Sequence, residues 1–151
     1  MRIDELRWVC EEAARDLVTR ADRPLPAAVV LPGPSATRVM RLPDLPDDDA
    51  DRTAVLRAVA RDEVLATSTP AYGFVAEAEL ADGTDVVVVV YGAHGAAPHV
   101  TAAPFADGGL GEFVDPEPLD PHALPFLRPL QEAVEQVREP PAPPGIPGFG
   151  V

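Results

Sequence analysis

The sequence predicts an α+β domain in which a mainly antiparallel five-stranded sheet packs against three helices. Three observations lead there. Apolar residues recur at helical spacing in three separate stretches. Between those stretches lie runs that either alternate or are continuously apolar, as strands do. Direct links between successive strand runs are short, which favours antiparallel pairing. The element order is α-β-β-α-β-β-β-α over 1–138, forming one domain, with a proline-rich tail over 139–151.

The first helix spans 3–20, where Ile3, Leu6, Cys10, Ala13 and Leu17 make one apolar stripe. Arg23-Pro24-Leu25-Pro26 ends it, because proline cannot continue a helix. Residues 27–31 form a short apolar run, Pro32-Gly33-Pro34-Ser35 reads as a turn, and 36–42 is a second β-like run; together they make a hairpin. Asp47, Asp48 and Asp49 open a second helix at 49–67, with Val55, Leu56, Val59, Ala60 and Val64 on one side and Arg52, Arg57 and Arg61 on the other. Acids at a helix start cap free N–H groups and suit the dipole. Asp47, Asp49 and Asp51 also have the first spacings of a calcium loop. Arg52 and Ala58 then stand where that loop needs glycine and a bidentate glutamate.

Residues 72–80 alternate, and Asp82-Gly83 reads as a two-residue type I′ hairpin turn. Val86 to Tyr91 is the strongest strand signal, 92–98 reads as a loop, and 99–103 as the last strand. The Gly-, Pro- and Asp-rich stretch 104–121 reads as an ordered loop anchored by Leu110, Phe113 and Leu119. Leu127, Leu130, Val134 and Val137 place the third helix at 126–138. Pro129 requires that helix to begin nearby or to kink.

Composition narrows the partners. With 151 residues, 46% of them hydrophobic, the chain can bury a core without staples. Acids outnumber bases 25 to 12, giving a formal net charge of -13. That balance disfavours nucleic acid and anionic membrane surfaces, both of which need clustered Lys and Arg. All 12 basic residues are arginine, with no lysine or asparagine, the codon signature of a GC-rich genome such as that of a high-GC bacterium. The lone Cys10 excludes an intrachain disulfide. Asp4, Glu5, Glu11 and Glu12 occupy the stretch where a signal peptide would be apolar, so a soluble cytoplasmic protein is expected.

Two features point to a binding surface. A two-residue turn at Asp82-Gly83 would set Ala78 against Val87, Ala76 against Val89 and Phe74 against Tyr91 as a core face. The other face would then carry Val75, Glu77 and Glu79 against Val86, Val88 and Val90, and three valines there need a cover from a helix of the chain or from a partner. Trp8 falls opposite the stripe of the first helix, beside Glu12 and Arg15, as an exposed anchor would. The expected interaction surface is therefore Trp8, Val75, Glu77, Glu79, Val86, Val88 and Val90. Its partner is a protein, with a second copy in a homodimer included. The tail adds two PxxP spacings, Pro140 to Pro143 and Pro141 to Pro144.

The competing reading is a small enzyme or metal-binding protein using His94 and His99 with Glu77 and Glu79. No HxH, HExxH or CxxC spacing supports it. Cys10 sits among apolar neighbours and beside Glu11, which suits a structural thiol rather than a nucleophile. Ser35 and Ser68 lack a GxSxG frame, and neither GxGxxG nor GxxxxGK[ST] is present, so no catalytic residue and no cofactor is assigned.

The order of elements over 3–138 is similar to that of the roadblock dimerisation domains, small proteins that scaffold or regulate GTPases and motors. The local likeness is Leu45-Pro46 followed by Asp47 to Arg52 leading into the second helix. The resemblance implies a non-catalytic, dimerising, regulatory module. The 104–121 stretch and the proline-rich tail depart from that pattern.

Overall fold

The computed structural model describes residues 2–137. The tail over 139–151, with its PxxP spacings, lies outside the described residues. The chain is α+β, with three α-helices and a curled antiparallel sheet. Helix α1 (Ile3–Arg20) lies on one face; helices α2 (Asp49–Val59) and α3 (Arg128–Gln136) lie on the other. Strands β1 (Ala27–Pro32), β2 (Thr37–Leu42), β3 (Ala71–Glu79), β4 (Asp85–Ala93) and β5 (Ala96–Ala106) are the five long ones. Two further strands of two residues each, β6 (Gly109–Leu110) and β7 (Glu117–Pro118), raise the total to seven. Both come from the 104–121 stretch, where no alternation announces a strand. The order across the sheet is β2-β1-β3-β4-β5-β6, with β7 also paired to β5.

The central strands feed two cores. Val29, Phe74 and Val90 point to the α2/α3 side, and Val30, Val75 and Val89 to the α1 side. This explains the unbroken apolar character of β1 and β4, since a strand covered on both faces has no wet side to alternate with. Helix α1 buries Leu6, Cys10, Ala14 and Leu17; Ile3 and Ala13 lie at the border of the stripe. The Asp48 carboxylate accepts the Asp51 N–H at 3.1 Å, capping α2 as its acids imply. After Val59 the helix widens into π turns over Ala60–Leu65 and keeps Ala60 and Val64 buried. Pro129 sits in the first turn of α3, preceded by a 3-10 turn over Pro125–Leu127, so the helix begins at the proline rather than kinking around it.

The β3–β4 hairpin corrects the expected register. Glu79 pairs with Asp85, Glu77 with Val87, Ala76 with Val88 and Phe74 with Val90, one residue away from the two-residue-turn alignment. The loop holds three residues. Gly83 N–H donates to Leu80 O at 2.9 Å, and Gly83 itself takes a left-handed φ of +87°. Asp82 Oδ1 accepts the Thr84 N–H at 2.9 Å, which favours this longer loop over a type I′ turn. Because side chains alternate, the slip exchanges faces. Val86, Val88 and Val90 share a face with Phe74 and Ala76, while Val75 and Glu77 share the other with Val87 and Val89. The 92–98 stretch is also not a loop. β4 and β5 run on to Ala93 and Ala96 and are joined by His94-Gly95, with Gly95 at φ +75°.

Candidate interaction site

The expected surface divides among three places. Val75 is buried in the core under α1 and Val90 in the core under α2 and α3, and Val86 is buried as well. Val88 is the exception in β4. It is half-buried because its cross-strand neighbours are Ala76 and Ala102, too small to close the sheet surface around it. It lines a groove of about 440 Å³ whose walls include Leu45, Phe74, Leu124 and Phe126. Arg52 stands at its rim, its guanidinium 5.3 Å from the Phe126 ring centroid and its Nε donating to Pro46 O at 2.7 Å.

Glu77 is held by Arg23. Arg23 Nη2 donates to Glu77 Oε2 and to Asp85 Oδ2, both at 2.9 Å, and its guanidinium lies 3.9 Å from the Phe105 ring centroid. The Leu25 N–H adds a bond to Glu77 Oε1 at 3.2 Å. The Arg23 hydrogen bond, helped by the Leu25 N–H, holds the Glu77 carboxyl below the usual glutamate range. Glu79 stands at the exposed end of the same hairpin.

The two histidines lie on opposite faces of the sheet. His94 Nδ1 is 3.1 Å from Val134 O on α3, where Gly95 N–H also donates to Glu135 Oε1 at 2.6 Å. His99 stacks on Tyr91 on the α1 side, the ring centroids 5.9 Å apart. Glu77 is four positions along β3 from Gly73, the residue paired with Tyr91, so about 13 Å of strand separates it from the line of His99. A metal needs ligands converging on one point, and these four residues do not converge. Among the described residues no group of three or more His, Cys, Asp or Glu is arranged to hold a metal ion. Cys10 is buried, and burial first, then Glu11, pushes its thiol up to about 12, away from nucleophilic use.

Trp8 stands where its helical angle puts it, 64% exposed. Sequence reasoning missed its neighbour. Val39 on β2 is 42% exposed, and with Trp8, Val9, Glu12, Ala13 and Thr37 it lines a shallow hollow of about 260 Å³. β2 is an end strand, paired only with β1, so one side of its backbone is open among the described residues. The signal was a strand run broken by Arg38 and Arg41, as charges interrupt edge strands. Trp8 and Val39 thus form an apolar strip beside an open strand edge.

No protein-family model, no curated protein and no solved structure matches the chain. The likeness of element order to the roadblock domains has no counterpart in these comparisons. No described helix is long and apolar enough to cross a membrane.

Proposed function

We infer that the chain is a non-catalytic protein-binding module of the cytoplasm and engages its partner along the strip of Trp8, Val39 and the open edge of β2. The observation that carries this is Trp8, a large aromatic 64% exposed next to unsatisfied strand backbone. Tryptophan is enriched among residues that anchor interfaces, and an open edge accepts a further strand. The acidic balance of the chain argues against nucleic acid as the partner.

The test is a photo-crosslinking amino acid placed at Thr37 in the native host. The expected result is one discrete adduct, lost when Trp8→Ala is added. Trp8→Ala should itself change folding stability by no more than about 0.5 kcal/mol, as exposed substitutions do. No adduct, or an adduct indifferent to Trp8→Ala, overturns the reading.

A further inference from the structure

The open edge has a definite hydrogen-bonding pattern. Gly33 N–H donates to Ala36 O at 3.0 Å, which makes 33 and 36 a hydrogen-bonded pair at the closed end of the β1–β2 hairpin. Such pairs alternate along an antiparallel ladder. Residues 38, 40 and 42 therefore direct their N–H and C=O groups to β1, and Thr37, Val39 and Arg41 direct theirs outward. The same three residues have side chains on the α1 face, since Val39 lies opposite Val30 of the α1-side core.

We propose that this edge pairs with β2 of a second copy, antiparallel about a two-fold axis through Val39. The inference rests on the protein-binding reading above and names its partner. In this register Val39 lies opposite Val39 of the other copy, and Thr37 opposite Arg41 of the other copy. All three outward N–H and C=O sets then find partners. A shift to an axis through Met40 would set Thr37 against Pro43, which has no N–H to give.

Charge complementarity supports the same register. Glu12 and Thr37 line one hollow beside Trp8. Arg41 of the second copy, opposite Thr37, is delivered to Glu12. Glu12 and Arg41 are both exposed, and neither is in an ion pair among the described residues; the nearby Asp16 is taken by Arg20 at 2.8 Å. The two-fold axis forms this pair twice and brings both Trp8 side chains over the Val39 contact. It also brings Arg41 of each copy towards the acidic outer side of the other α1, within a chain whose overall charge would otherwise repel its own copy.

The test is light scattering coupled to size exclusion on the full chain, at loading concentrations up to about 100 μM. The expected mass is that of two chains. Val39→Pro removes one outward N–H and leaves the bonds to β1 intact, so it should fold like the parent and run as a single chain. Glu12→Arg and Arg41→Glu should each weaken association by about tenfold or more, and the two together should restore it. A single-chain mass for the parent, a dimer indifferent to Val39→Pro, or no rescue by the double charge swap overturns the proposal. If the parent is a single chain and the Thr37 adduct contains a different protein, the protein-binding reading survives while self-pairing falls. If there is no adduct at all, both fall.

Discussion

The Leu80 N–H donates to the Thr84 carbonyl at 2.8 Å, and this bond sets which face every side chain of β3 and β4 points to. It closes the loop over Ala81, Asp82 and Gly83, so Glu79 meets Asp85 and the rest of the hairpin follows. A loop one residue shorter would turn Val86, Val88 and Val90 towards α1 or Phe74 and Ala76 away from α2 and α3.

That register can be read chemically. Glu79→Cys with Asp85→Cys should form a cross-strand disulfide on mild oxidation, because the two residues are directly opposed on one face. Glu79→Cys with Val86→Cys should not, because those side chains leave opposite faces. Mass spectrometry after thiol blocking distinguishes the pairs, and the reverse outcome would restore the two-residue turn.

Val88 and Val90 should respond differently to the same change. Val90 is fully buried, so Val90→Asp strands a carboxylate in the α2/α3 core at a cost of about 3 kcal/mol or more and should leave little folded protein. Val88 opens onto the groove, where a carboxylate can keep water, so Val88→Asp should stay folded with a lowered Tm. Thermal melts followed by circular dichroism check this; equal damage from both would mean the groove is closed.

Glu77 gives the fold an acid-sensitive contact. Its folded pKa lies below its unfolded one, so the stabilisation is fully present above the unfolded value, about 4.3, and fades as pH falls through the lowered folded value. Arg23 stays charged throughout, because its bonds to Glu77 and Asp85 push it further up. Glu77→Gln should therefore lower stability by about 1 kcal/mol near neutrality, and the difference from the parent should vanish in strong acid. Urea titrations across pH measure it; a difference that grows on acidification contradicts the sign.

Cys10 and Gly73 are a fitted pair. A methyl group on Gly73 would overlap the Cys10 sulfur. Gly73→Ala should therefore destabilise the chain by about 1–3 kcal/mol, and Cys10→Ala in the same chain should recover part of that loss. Thiol labelling of the parent should be slow and should track unfolding, because the sulfur is fully covered.

Much of this architecture is legible in the sequence. The three helices follow from Leu6-Cys10-Leu17, Leu56-Val59-Val64 and Leu130-Val134, because a buried stripe leaves a period of 3.6 in the sequence. Trp8 was legible for the same reason, as the residue out of phase with its stripe. The hairpin register was not, because Asp82-Gly83 serves both a two-residue and a three-residue loop, and the Asp82 contact to Thr84 and the Leu80–Thr84 bond that separate them leave no mark on the residue pattern. The cover over the valine face was not legible either, since local pattern does not say which layer α2 and α3 join. Val39 was hidden for a related reason. It sits in an apolar-looking strand, and only the order of strands makes that strand the last one.

Helices on both sides of the sheet leave β2 to offer contact along a line rather than across a plane. A line of main-chain groups is nearly blind to side-chain identity, and rewards a visitor for its length, direction and phase. The pairing proposed at β2 is in that sense grammatical. In the proposed pairing the side chains of Val39 and Arg41 add apolar contact and charge to that line, whereas a single inserted or deleted residue in the strand turns Val39 to the wrong side and breaks the phase.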